Sequence, residues 1–473
     1  AGLSLREAIA RAHVSTITFD ASLSGGTIVL GLSQLTLDRS LIIDASALAN
    51  GITIDANGAT TNHRIFLVQP GTVVTLDSLT LTGGLDQFVG GGGIYNGGSL
   101  TLNNATLSNN HSVGIFGSIG GGIYNEGGIL TLNNVTLSGN HASASGGGIY
   151  NALGTLTLND ATLSNNHADS NVGGGIVNNR GTLTLNNATL SANHAYHGGG
   201  IFNFGGTLTL NHSTLSGNSA DSGGGSGGGS GGGIYHQSGT LNLNSTIVAG
   251  NTASSSPNIF GAVSAGNGHN LTSGDPLLAP LDFYGGTTLT MPPLPGSPAI
   301  DTGGTTSPLA TDQRGLPRVV DSGIYSGGPY ADIGAVEIQG PADTLAILTP
   351  AWFSNTDGDS DAFGLEFAFG TDANTADFTS PRRFQITGTD GSGKPTLTFG
   401  FNPFAVLYTS WIVKRSTTLL PDSFTEIYRY DGPTGMQTTN GTTASLVGGI
   451  FHVVDDNPPP GGAFYLFEAE PAP

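Results

Sequence analysis

Apolar and polar residues alternate in short bursts along much of the first half of the chain, and the bursts recur almost word for word. GGGIYNEGGILTLNNVTLSGNHA (residues 120–142) returns as GGGIYNALGTLTLNDATLSNNHA (146–168) and GGGIVNNRGTLTLNNATLSANHA (173–195). In the segment TLTLN, Leu156 and Leu158 point to one face and Thr155 and Thr157 to the other, the period of two that marks a half-buried strand. A second alternation follows at Ala161, Thr162, Leu163 and Ser164. No helical period runs through these units. Each therefore holds about three short strands separated by Gly and Asn turns.

The isoleucine of the GGGI phrase falls at Ile94, Ile123, Ile149, Ile176, Ile201 and Ile234, in steps of 29, 26, 27, 25 and 33. Such uneven steps suit a solenoid that accepts loop insertions, and the expected fold is a parallel β-helix. Coils stacked at roughly 4.8 Å bring equivalent residues into rows. The inward rows are then Ile94 to Ile234; Leu102, Leu132, Leu158, Leu185, Leu210 and Leu243; and Leu107, Leu137, Leu163, Leu190, Leu215 and Ile247. Two asparagine rows are expected at turns as structural ladders, with left-handed backbone: Asn96, Asn125, Asn151, Asn178 and Asn203, and Asn110, Asn140, Asn166, Asn193, Asn218 and Asn251.

Ahead of the repeats, SLREAIARAH (4–13) is the one clear helix, with Ser4 and Glu7 at capping-box spacing. It reads as a cap on the first coil, whose edge would otherwise be sticky. Strand patterning then continues to Leu81, and the Pro-rich segment MPPLPGSP (291–298) is expected to close the far end. Past residue 340 the composition changes: both tryptophans and both lysines lie there, among strand-rich segments such as TLTFGF and WIVKRSTTL. The organisation expected is a cap at 1–14, a β-helix with its closing segment at 15–340, and a small C-terminal β-sandwich at 341–473.

The opening SLREAI with ITFDASLSGGTI, together with SPAIDTG (297–303), TDQRGLPR (311–318) and ADIGAVE (331–337), resembles the secreted bacterial right-handed β-helix proteins that end in a "choice-of-anchor Q" segment, which implies a right-handed parallel β-helix. The resemblance implies the fold and export to an extracellular or cell-surface location, and does not imply a reaction. NTDGDSDAFGLE (355–366), followed by FAFGTD, is similar to the acidic segments of extracellular calcium-binding linkers. Asn355, Asp357, Asp359, Asp361 and Glu366 occupy positions 1, 3, 5, 7 and 12 of a twelve-residue loop, the spacing of an oxygen-ligand set for calcium.

Charge narrows the partners. Lys and Arg number 13 against 33 acids, a net charge of −20, which disfavours nucleic acid and anionic membranes. There is no cysteine for a disulfide or thiolate metal site, and no apolar run long enough to span a bilayer. The chain starts at Ala1 rather than Met, as expected of a mature product whose export signal has been removed.

Chemistry is sparse. Between residues 90 and 270 the acids are Glu126, Asp160, Asp169 and Asp221 and the only strong base is Arg180, too little for a polysaccharide lyase. Asp169 and Asp221 fall two coils apart, roughly 10 Å, wider than the pair of an inverting glycosidase, and are read as solvated turns. His111, His141, His167 and His194 form a row; with no carboxylate recurring beside it, stacked surface histidines are expected rather than a metal site, with pKa values held below about 6.5 by mutual repulsion. Outward Thr155/Thr157, Thr182/Thr184 and Thr207/Thr209 would suit ice binding only on an exposed, flat and uninterrupted face. The leading expectation is no enzyme but a secreted structural subunit of a fibre, sheath or adhesive layer. Copies would join head-to-tail, with Leu3 and Leu5 near the contact. The alternative is a carbohydrate-active or glycan-binding β-helix.

Overall fold

The computed structural model describes residues 3–11, 16–114, 118–221, 228–266, 268–294, 296–304, 309–319 and 330–339, and the backbone of eight strands between 385 and 471. Two compact units are present, the first reaching to about residue 338 and the second made mainly of residues 339–473.

The first unit is a parallel β-solenoid. Its strands form sheets of 17, nine and seven members, with about nine coils in the nine-stranded sheet. One coil shows the plan: Ile149–Ala152 and Thr155–Asn159 lie in the broad sheet, Thr162–Ser164 in the nine-stranded sheet and His167–Ala168 in the third. The next coil repeats it in register, Ile149 opposite Ile176, Leu156 opposite Leu183, Thr162 opposite Thr189 and His167 opposite His194. A coil thus has four strands rather than three, because two of them share a sheet across a bend. Ile201–Asn211 and Ile234–Asn244 each run through the bend as a single strand of 11 residues, with Gly205 and Gly239 at positive φ and the pairing register shifting there.

The expected inward rows are the core. Ile94 to Ile234, Leu102 to Leu243 and Leu107 to Leu215 are all essentially solvent-free, joined by a further row from Leu100 to Leu241, and one apolar cluster runs from Leu5 to Val248. The third row ends at Val248 and not at the expected Ile247, which stands beside Thr214 and packs with Ala299 and Ile333 instead. The glycine triplet is set by backbone crowding where coils meet. Gly146 has φ of +69°, and a side chain on Gly147 would stand 2.4 Å from the carbonyl oxygen of His167. Only glycine meets both demands, so GGG returns in the six coils entered at Ile94, Ile123, Ile149, Ile176, Ile201 and Ile234.

Asparagines divide into two kinds, which corrects the expectation that the ladder positions carry left-handed backbone. The ladder residues are buried and absent from the positive-φ set, which instead contains Asn104, Asn134, Asp160 and Asn187 in one row and Asn109 and Asn165 in another. Inside, Asn96 Nδ2 donates to Asn125 Oδ1 at 2.7 Å, Asn125 to Asn151 at 2.7 Å, Asn151 to Asn178 at 2.9 Å and Asn178 to Asn203 at 2.7 Å. The second ladder runs likewise from Asn110 to Asn251, with steps of 2.9–3.0 Å. A third, half-exposed ladder joins Asn103, Asn133, Asn159, Asn186, Asn211 and Asn244, and its amides donate in the opposite sense, toward the preceding coil.

At the N-terminal end the helix Leu5–Arg11 sits on the first coils. Its capping box is made: the Ser4 N–H donates to Glu7 Oε2 at 2.9 Å and the Glu7 N–H to Ser4 Oγ at 3.3 Å. Leu5 and Ile9 point into the core, so Leu5 is not an exposed contact group, whereas Leu3 is. Arg6 Nη1 ties the helix to the carbonyl of Gln34 at 2.9 Å.

The segment beyond residue 276 behaves differently from an end plug. It turns back along the outside of the nine-stranded sheet, where Thr162 Oγ1 donates to the Leu289 carbonyl (2.5 Å), Thr189 Oγ1 to Gln313 Oε1 (2.6 Å), and the Ala335 N–H to Thr214 Oγ1 (3.0 Å). TDQRGLPR and ADIGAVE meet there in a buried ionic knot. Arg314 Nε pairs with Asp312 at 3.0 Å, Arg318 Nη1 with Glu337 at 3.4 Å, and Arg318 Nη2 donates to Asn187 Oδ1 at 2.8 Å. The Ile338 N–H closes on Asp332 at 2.7 Å. Thr162, Thr189 and Thr214 are therefore buried, whereas Thr106 and Thr136 in earlier coils are only half-covered.

In the second unit the described strands form two four-stranded antiparallel sheets, as expected of a small β-sandwich. One orders Gln385–Thr389, Pro395–Gly400, Ile450–Asp455 and Thr442–Val447; the other orders Gly435–Thr438, Thr425–Asp431, Thr409–Ser416 and Phe464–Pro471.

Asn151→Ala leaves the Oδ1 of Asn178 without a partner in a dry interior and takes from the Asn125 amide one acceptor, the Gly128 carbonyl remaining, so a loss of about 1–3 kcal/mol is expected in urea unfolding. Asn159→Ala in the half-exposed ladder, where water substitutes, should cost under about 1 kcal/mol. Equal losses would show that the inner ladder carries no special weight. His212 gives a second expectation. Burial, reinforced by the Arg318 guanidinium, pushes its ring down to about 3. A depressed histidine means that the unfolded chain binds more protons, so its contribution is complete above about pH 6.5 and is lost as pH falls from there toward 3. His212→Asn, which suits the left-handed backbone (φ 44°), should spare the protein about 2 kcal/mol of the stability lost between pH 6.5 and 5. Thermal melts of parent and variant that decline in parallel would refute it.

Candidate functional site

The histidine row arises from the end of the repeat, where Asn166 faces inward, His167 outward and Ala168 inward again. His111, His141, His167 and His194 stand on successive coils of the seven-stranded sheet, paired backbone to backbone. Ring centroids are 5.6, 5.6 and 4.6 Å apart, and the planes turn from 58° between the first two rings to 18° and then 5°. The rings of His141, His167 and His194 become progressively parallel.

Two carboxylates join this row, which corrects both the reading that none does and the reading of Asp169 and Asp221 as merely solvated turns. Asp169 follows the His167–Ala168 strand, and its backbone N–H bonds to the Ala142 carbonyl of the preceding coil. Its Oδ1 lies 2.7 Å from His141 Nε2 and 3.0 Å from His167 Nε2. Two coils on, Asp221 Oδ1 lies 2.7 Å from His194 Nε2. His167 Nδ1 and His194 Nδ1 face each other at 2.9 Å. A continuous polar chain results: His141, Asp169, His167, His194, Asp221. Side chains along it are 25–57% exposed, so the chain lies open to solutes along one edge of the solenoid.

His141, His167 and Asp169 place three ligand atoms within 4.8 Å of one another, the one such group among the described residues. Burial, then the neighbouring His194, holds His167 below the ordinary histidine value, partly offset by Asp169. His111 is lowered by burial and then by His141. Asn355, Asp357, Asp359, Asp361 and Glu366, the expected calcium ligands, lie outside the described residues.

Other surfaces differ in character. The outward threonine columns are in register, Thr75, Thr101, Thr131, Thr157, Thr184 and Thr209 in one, but its neighbour reads Val73, Ser99, Ile129, Thr155, Thr182, Thr207 and Thr240, so it is threonine only in its second half. Near the N-terminal coils a groove of about 660 Å³ is lined by Gln34, Asn62, His63, Arg64, Phe88 and Tyr95, among others. Its floor holds an Arg64–Asp86 ion pair. Burial alone would raise the Asp86 carboxyl, but Arg64 and the N–H groups of Gly90 and Val89 outweigh it and hold the group low.

Comparison with protein-family models, with curated proteins and with solved structures returns no match.

Ring titration followed by NMR on protein labelled only at histidine carbons, assigned by single His→Asn variants, should place His111 and His167 below about 6.5. Midpoints at or above that value would show that neither burial nor the neighbouring rings govern them.

Proposed function

We propose that this chain is a structural element of an extracellular surface, a stiff rod that joins copies of itself head-to-tail. The observation that carries this reading is the coil-to-coil continuity of the asparagine ladders and apolar rows, which makes the solenoid a stack in which every coil braces the next. The first coil supports the assembly. Among the described residues, Thr16–Thr18, Thr27–Val29 and Leu35–Leu37 pair with a following coil on one side only, and Leu3, Leu23, Val29 and Leu32 stand exposed nearby. An unpaired parallel edge rimmed with apolar groups accepts another chain readily. The proposed occupant is the C-terminal module of the next copy. Contacts of that heterologous kind grow into open filaments unless the rotation closes.

Concentrated parent protein should show filaments in negative-stain micrographs and a heavy, concentration-dependent species in sedimentation. Leu32→Glu, or removal of residues 343–473, should leave single rods. A parent that stays monomeric at high concentration would end the reading.

A second reading, glycan binding, draws on the groove, where Arg64 and Asn62 offer hydrogen bonds beside the exposed ring of Phe88. Arrays of neutral and acidic oligosaccharides test it: a ligand released by Phe88→Ala supports it, and uniform absence of binding discards it.

A further inference from the structure

We infer that His141, His167 and Asp169 form a binding site for a divalent first-row transition cation such as zinc, with His194 and Asp221 as the groups that orient it.

The argument starts from the protons. For every contact in the chain to be a hydrogen bond, His141 Nε2 and His167 Nε2 must each donate to Asp169, His194 Nε2 must donate to Asp221, and one of the two facing Nδ1 atoms must donate to the other. His167 and His194 would then carry three N–H groups between them. Two neutral rings carry only two, so the metal-free network is complete only when one ring is an imidazolium. Without that extra proton one contact is left as two lone pairs face to face.

A cation bound at the Nε2 atoms of His141 and His167 and at Asp169 Oδ1 removes the conflict without any added proton. His167, with Nε2 on the metal, carries its hydrogen on Nδ1 and donates to the bare Nδ1 of His194; His194 then donates from Nε2 to Asp221. Each ring is neutral and each contact is satisfied. His194, itself held by Asp221, takes the place that a carboxylate, carbonyl or water usually holds beside a ligating ring, where an acceptor fixes the ligand's tautomer and raises its basicity.

Dimensions agree. Zinc takes imidazole nitrogen and carboxylate oxygen at about 2.0–2.2 Å, which in a tetrahedron sets ligand atoms about 3.3 Å apart. The two nitrogens now stand 2.7 and 3.0 Å from the Asp169 oxygen, so outward movements of about 0.3–0.6 Å open the site, small for partly exposed side chains. Three protein ligands on an open edge leave a fourth position for water or for a group on a second molecule. Two imidazoles and one carboxylate select zinc, copper, nickel or cobalt over calcium or magnesium.

The test uses the full chain without a purification tag, stripped with a chelator and titrated with zinc chloride by calorimetry at pH 7.5. One equivalent of zinc should bind through this site. His141→Ala/His167→Ala should abolish that heat, Asp169→Asn should weaken it at least tenfold, and His194→Ala by about tenfold through lost orientation. His111→Ala should leave it unchanged. Melting curves establish that each variant is folded, and His141→Asn/His167→Asn replaces the alanine pair if that pair is not. Copper(II) EPR supplies the independent reading, with hyperfine structure from two ring nitrogens expected. Absence of heat at millimolar zinc, full heat in the double variant, or a copper spectrum without nitrogen splitting would overturn the site.

Discussion

Registered stacking of one coil on the next is the constraint from which the rest of the solenoid follows. Parallel pairing at about 4.8 Å puts each side chain beside its counterpart, and a slip by one residue would turn every leucine outward. A buried amide is costly in isolation but supported when the coils on both sides present amides to it, so an asparagine row is stable as a row and unstable as single members. Gly147 obeys the same rule, since its neighbour is the backbone of His167 rather than a side chain that might yield. The repeated words in the sequence are thus the written form of a contact that each coil must make twice.

Period made much of this legible before any coordinates. Leucine rows, the cap with Ser4 and Glu7, and the ladder asparagines follow from residue type and spacing, because a row needs only the knowledge that coils stack. What escaped did so because it does not repeat. Asp169 reaches His141 on the preceding coil as well as His167 on its own, and Asp221 reaches His194 on the preceding coil, a diagonal that skips the coil between them and so forms no column of carboxylates. The lateral course of the segment after residue 276 escaped likewise. Its attachment to Thr162, Thr189 and Thr214 lies more than 120 residues away in sequence, and those threonines look like ordinary strand residues. The ladder role of the asparagine rows is legible in the repeat, but their backbone is not, since two separate uses of asparagine, a buried ladder and a left-handed turn, lie only a few residues apart in each coil.

The returning segment also gives a physical meaning to TDQRGLPR and ADIGAVE. Their arginines and carboxylates are spent on one another and on the solenoid wall, with Gln313 Nε2 bonded to Thr162 Oγ1 at 3.0 Å and to Thr288 Oγ1 at 2.9 Å. Buried ion pairs add little net stability, yet removing one partner strands the other in a dry site, typically at about 3–5 kcal/mol. Such a knot fixes where a segment lies more than how strongly it is held. Motifs rich in Asp, Arg and Glu invite a catalytic reading, and here the same residues are enclosed as a fastening.

Departures from the repeat complete the picture, because a ladder of amides must end. Each inner amide donates to the following coil, and the row begun at Asn96 stops at His236, whose Nδ1 lies 3.0 Å from Asn203 Nδ2 and receives the last donor. The outer row donates the other way and stops at Asp77, a group that only accepts, 3.3 Å from Asn103 Nδ2. In the histidine row, Ser219 stands where a fifth ring would be and Asp221 closes the line beyond His194. In these rows the last donor meets a group that differs from the consensus and can accept, whereas the ladder begun at Asn110 passes from Asn251 to Asn258, whose amide donates to the Thr272 carbonyl. Identity between coils supplies the rigidity, and the breaks in identity decide where a row stops and what it presents to solvent. On this solenoid the chemistry is therefore to be sought where the wording changes, as it does at Asp169 and Asp221.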